Sequence, residues 1–170
     1  VLFRSRDNPK LKRVGIEVNF TKEQIDEYIK CAKDPVYFSK YITIISLDHG
    51  IIPFKMYDFQ EEMIRTFDAH RFVITKCPRQ VGKTTTAVAY LLHTILFKDS
   101  QNVAILANKG KTSRDILGKL QLAYENLPMW LQQGVVEWNK GKVELENGRS
   151  EEHTSELQSH HDLVCRLLLE

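Results

Sequence analysis

Cys77-Pro78-Arg79-Gln80-Val81-Gly82-Lys83-Thr84-Thr85 decides how this chain is read. A short apolar run, Phe72-Val73-Ile74-Thr75, precedes it, and a long apolar segment from Ala87 to Phe97 follows it. Strand, loop, Gly-Lys-Thr and helix in that order form the context of a phosphate-binding loop. The first N–H groups of a helix lack intrahelical partners, and the helix dipole adds partial positive charge at that end. Gly82 lets the backbone come close to a phosphate. Lys83 would reach the β- and γ-phosphates of a nucleotide, and the Thr84 hydroxyl would ligate Mg2+. The common pattern opens with glycine six positions before the lysine, and Cys77 stands there instead.

Bulk properties narrow the setting. A length of 170 residues supports about one domain with a real core, and 42% hydrophobic and 27% charged residues are ordinary for a globular chain. No apolar run is long enough to span a bilayer, and the first residues do not read as a signal peptide. Three cysteines do not make a disulfide framework, which suits a reducing compartment, and their spacing suggests no metal site. A net charge of +2 is too small to argue for nucleic acid by itself.

Both ends look foreign. Residues 149–159, Arg149 to Ser159, resemble the translation of a short-read sequencing adapter. Residues 163–170, Leu163 to Glu170, resemble the far end of the same adapter. Val1-Leu2-Phe3-Arg4-Ser5 resembles its complementary strand. The expected natural portion is therefore Arg6 to Gly148, which is mildly basic. Four parts are expected: adapter-derived residues 1–5, an arm and helical extension over 6–55, a partial ATPase domain over 56–148, and an adapter-derived tail over 149–170.

Along the natural portion, residues 6–19 read as a solvated basic arm. Thr21-Lys22-Glu23-Gln24 is a capping-box pattern that starts a helix to about Lys33, with Ile25, Tyr28 and Ile29 on one face. Asp34-Pro35 stops it and caps a second helix through Val36, Phe38, Tyr41 and Ile42. Residues 51–54 read as an extended connection. Asp58 caps a helix to about Ala69, with Phe59, Met63, Ile64 and Phe67 inward and Gln60 in its first turn. Residues 71–76 and 102–107 read as buried strands on either side of a helix over 83–97. Their continuous apolar runs suit a parallel sheet covered on both faces. Thr112 caps a helix to about Asn126, residues 128–132 form a short helix, and 135–138 and 142–146 form a hairpin around Asn139-Lys140-Gly141. This alternation predicts an α/β fold: a P-loop NTPase core with a mostly parallel sheet flanked by helices, truncated, with a helical N-terminal extension. The ligand is expected at the carboxyl ends of the strands, after Lys76.

Together these residues resemble the N-terminal ATPase domain of the large terminase subunit of T-even-type tailed phages. The resemblance covers nearly all of Leu11 to Gly148. It rests first on the Cys-Pro-Arg-Gln-Val-Gly-Lys-Thr-Thr stretch, in which Arg79-Gln80 precedes Val-Gly-Lys-Thr. Supporting it are Tyr57-Asp58-Phe59-Gln60, Ile105-Leu106-Ala107-Asn108-Lys109-Gly110, and Leu127-Pro128 through Trp138-Asn139-Lys140-Gly141. The resemblance implies that Gln60 reads adenine, that Arg79 senses or stabilises the γ-phosphate, and that Cys77 to Thr85 bind ATP with Mg2+ on Thr84. Tyr57 packs either near the base or in the core. Lys109, Lys111 and Arg114 read as a solvated loop and helix start.

The resemblance also implies double-stranded DNA, the phage portal and the small terminase subunit as partners of the intact protein, and the infected host cytoplasm as its place. Hydrolysis in that family needs an acidic pair after a later strand, and cutting the DNA concatemer needs a nuclease domain. The natural portion contains neither, since Glu151-Glu152 follows no strand and lies in the adapter-like tail. The 170 residues are thus expected to bind nucleotide at most, without turnover. A helicase-like, DNA-stimulated ATPase fragment remains the alternative, because a glutamine upstream of a phosphate loop occurs there as well.

Overall fold

The computed structural model describes residues 8–46 and 50–148; the adapter-like residues 1–5 and 149–170 fall outside them. Its elements run α1 (Lys22–Lys33), α2 (Pro35–Phe38), β1 (Thr43–Ser46), β2 (Gly50–Pro53), α3 (Asp58–Ala69), α4 (Lys83–Phe97), α5 (Gly110–Glu125), β3 (Val135–Trp138) and β4 (Val143–Leu145). The organising element is α4. Nine of its residues, from Thr86 to Leu96, are buried, and α2, α3 and α5 pack around it.

The parallel sheet expected from the sequence is not there. Among the described residues the strands form two antiparallel pairs, β1 with β2 and β3 with β4, and no core of the P-loop NTPase kind is assembled. Residues 73–77 and 102–107 have no regular secondary structure and join no ladder. Val73, Cys77, Val103 and Ile105 pack on the helical core, whereas Phe72 (81% exposed), Ile74 (93%) and Leu106 (56%) face outward. A parallel strand is stable when both of its faces are covered. Here helices cover one face only, so runs that look uniformly apolar become half-buried segments.

Local capping chemistry fixes several helices. At α1 both halves of the capping box form: the Gln24 N–H donates to Thr21 Oγ1 at 3.3 Å, and the Thr21 N–H donates to Gln24 Oε1 at 3.1 Å. The Asp34 carboxylate accepts from the Val36 N–H at 2.9 Å, and Pro35 opens α2. The inward face of α1 differs from the expected one. Ile25 and Ile29 are exposed, while Cys31 is fully buried and Tyr28 packs edge-on against Phe97. The cause is Glu27, whose carboxylate accepts from the Tyr37 hydroxyl (2.9 Å), the Tyr41 hydroxyl (2.8 Å) and Lys40 Nζ (2.7 Å). That cluster turns Glu27 toward α2 and carries the isoleucines outward.

These bonds make Glu27 the acid-sensitive element of the N-terminal half. Lys40 first, then Tyr41, Tyr37 and Lys30, hold its carboxyl far below the usual carboxylate range. A depressed folded-state pKa contributes stability that is complete above the unfolded value of 4.5 and is lost as pH falls below it. Acid titration of wild type and Glu27→Gln, followed by circular dichroism, should show wild type losing more stability than the variant below that pH. Parallel acid curves would exclude the Glu27 cluster as the cause.

Other parts depart from the sequence reading. Residues 128–132 form turns, not a helix, and α5 begins at Gly110 rather than after Thr112. Phe59 is exposed, while Met63, Ile64 and Phe67 are buried as expected. The extended connection at 51–54 is one arm of the β1–β2 hairpin, with Ile44 opposite Ile52 and Ile45 opposite Ile51. The arm is not wholly solvated either. Leu11 is buried, the Val135 N–H donates to the Lys12 carbonyl at 3.0 Å, and an isolated parallel bridge joins Arg13 to Val135.

In the core, His93 on α4 is 2% exposed and sits against Phe38 and Phe97. Its Nε2 lies 3.0 Å from the Cys31 carbonyl, so Nε2 carries the proton and donates. Nδ1 has no partner, and burial lowers the pKa of the ring below its ordinary value. The neutral imidazole thereby ties α1 to α4.

Candidate phosphate-binding site

The loop over 77–82 enters α4 through two residues with left-handed backbone, Gln80 at φ 65° and Gly82 at φ 81°. Gly82 is the N-cap of α4, and no side chain caps the helix. The first backbone bond of the helix is Thr86 N–H to the Gly82 carbonyl at 3.0 Å. The Thr86 hydroxyl donates to the same carbonyl at 3.2 Å and is fully buried, which makes it structural. Thr84 and Thr85 are half-buried in the first turn, where helical N–H groups have no intrahelical acceptor.

Gln60 comes to this loop from α3. It is 3% exposed. Its Oε1 accepts from the Tyr57 N–H at 3.0 Å, and its Nε2 donates to the Val81 carbonyl at 3.1 Å. The amide thus braces the start of α3 against the loop over 77–82, and one N–H and one oxygen lone pair remain for another partner. The brace also constrains Gly82. A Cβ there would lie 2.6 Å from Gln60 Nε2, and the positive φ disfavours any L side chain. The family resemblance implied a role for Gln60 toward a base. The bond to Val81 is a second role it did not reveal, because it joins positions 21 apart through one side chain.

The remaining candidates divide by exposure. Pro78, Arg79 and Gln80 are exposed, whereas Cys77, Val81 and Lys83 are half-buried. Cys77 is a free thiol packed on the core. Tyr57 is not a core residue: it is 68% exposed and stacks on Phe59, with ring centroids 5.8 Å apart and planes 9° from parallel. The two rings form an aromatic surface at the end of α3 that holds Gln60. Lys109, Lys111 and Arg114 are exposed at the start of α5, as the sequence suggested.

Among the described residues no group of three His, Cys, Asp or Glu side chains is placed to hold a metal ion. The Thr84 hydroxyl is a hard oxygen donor of the type Mg2+ accepts, and Mg2+ is commonly held by one or two protein ligands together with substrate phosphates and water. The donor set therefore fits Mg2+ that arrives with a nucleotide.

No protein-family model matches the chain. Among the described residues, no helix is long and apolar enough to cross a membrane.

Proposed function

We propose that this chain is a nucleoside-triphosphate-binding piece of a large terminase subunit. The intact protein would hydrolyse ATP in the host cytoplasm to drive double-stranded DNA into procapsids, with the portal and small terminase subunit as partners, and would cut the concatemer. The supporting observation is the joint between Gln60 and the loop. Gln60, Val81 and the left-handed Gly82 shape a turn that leads into the open first turn of α4. In this reading backbone donors and Lys83 hold the phosphates, Thr84 ligates Mg2+, Arg79 meets the γ-phosphate from solvent, and Tyr57 with Gln60 borders the base.

Binding does not bring turnover. Activating water for attack on a phosphoryl group needs a positioned carboxylate, and the sequence supplies none after an apolar strand. A fluorescent ATP analogue titrated with Mg2+ should bind wild type and lose at least about tenfold in affinity on Lys83→Ala, while phosphate release stays at the buffer level. Failure to bind at millimolar nucleotide, or equal affinity for both proteins, overturns the binding claim. Phosphate release abolished by Lys83→Ala overturns the claim of no turnover.

A further inference from the structure

A cleft of about 710 Å3 lies away from the phosphate loop, between residues 101–105, α5 and the β3–β4 hairpin. We propose that it receives an extended strand of a partner polypeptide in which apolar and acidic side chains alternate.

The two banks of the cleft are backbone edges. Residues 101–105 line it consecutively, as do residues 143–145, so each bank presents main chain as well as alternate side chains. β4 pairs only with β3, and residues 101–105 join no ladder, so each bank offers N–H and C=O groups without strand partners among the described residues. The banks are tied at one end, where the Ser100 N–H donates to the Asn147 carbonyl at 3.4 Å. The Asn147 side chain fixes that end to α4 by donating to the Ile95 carbonyl at 2.8 Å. An inserted strand would satisfy both edges at once, which is the chemistry of β-augmentation.

Side chains set the preferred sequence of that strand. Ile95, Leu117 and Leu120 supply apolar surface for every second residue. Arg114 and Lys140 line the same cleft and are exposed, with no ion pair among the described residues. Lys142 beside them is already held by Glu137 (2.8 Å) and Glu144 (2.7 Å). The uncompensated charge is therefore positive and favours acidic residues. A second copy of this chain fits poorly. Its own unladdered apolar segment, 72–75, is flanked by Arg71 and Lys76, which would meet Arg114 and Lys140 with like charge.

The probe is a short fluorescein-labelled peptide that alternates valine with glutamate, tested beside a valine–lysine peptide and an N-methylated valine–glutamate peptide. Anisotropy should show the glutamate peptide binding at least about tenfold tighter than the other two. The double variant Arg114→Glu/Lys140→Glu, checked for folding by circular dichroism, should reverse the charge preference. Hydrogen exchange should show new protection at Ala104 and at Val143 and Leu145, whose N–H groups point away from β3. Three results would each overturn the proposal: equal binding of the lysine peptide, indifference to N-methylation, or a dimer that protects these amides without peptide. None involves residues 77–85, so loss of ATP binding leaves this test intact.

Discussion

Gln132→Leu should lower unfolding stability by about 3 kcal/mol and free the N-terminal arm from the fold. Gln132 is 2% exposed, and both the nitrogen and the oxygen of its amide are engaged. The two N–H groups of its Nε2 are shared among the carbonyls of Lys10 (3.0 Å), Leu127 (3.0 Å) and Tyr124 (3.3 Å), and its Oε1 accepts from the Lys12 N–H at 3.0 Å. Leucine has nearly the same volume, so the loss is polar. Each backbone group left buried without a partner costs about 1–3 kcal/mol, and partial rearrangement toward water keeps the sum near the lower end. Urea unfolding measures the total. Exchange of the Val135 amide, which donates to the Lys12 carbonyl, separates release of the arm from general loosening. An unchanged urea midpoint with Val135 still protected would refute this role for Gln132.

Phe38→Ala should cost about 3–5 kcal/mol, a large share of the roughly 5–15 kcal/mol that holds a domain of this size. Phe38 has no exposed surface. Its ring meets Phe97 at 5.3 Å with planes 82° apart and His93 at 5.7 Å, so it joins α2 to the centre of α4. Removing it opens a cavity lined by those two rings, and neither can follow it. Phe97 is also held edge-on by Tyr28, and His93 is held by the Cys31 carbonyl. A reduction under about 1 kcal/mol in urea unfolding would mean that the site collapses freely, contrary to the packing described.

What the sequence disclosed follows from the range of the forces involved. The starts of α1 and α2 were legible because the capping groups sit within three residues of the N–H groups they serve: Thr21 with Gln24, and Asp34 with Val36. The body of α4 was legible because Ala87 to Phe97 is apolar apart from His93 and Thr94. The inward face of α1 was not, because a glutamate normally marks the solvent side, and the three groups that claim Glu27 lie 10 to 14 residues away. The sheet failed for a related reason. An apolar run shows that a segment can be covered on two faces, not that a second cover exists, and Ile74 at 93% exposure has none. In the site, a loop leading into the start of α4 at Gly82 was readable from Gly-Lys-Thr, but its left-handed backbone was not. The Gln60 brace and the exposed Tyr57–Phe59 stack were not, since both depend on how α3 approaches the loop.

The crowding at Gly82 has a stereochemical consequence. The Cβ that would strike Gln60 is that of an L-residue, and the left-handed backbone opposes that same enantiomer. A D-alanine would place its methyl on the opposite side of Cα and would favour the positive φ. The entrance to α4 thus opposes an L side chain by its handedness as well as by crowding. Glycine occupies it because it is the one achiral residue in the genetic alphabet and the nearest available substitute for a D-amino acid.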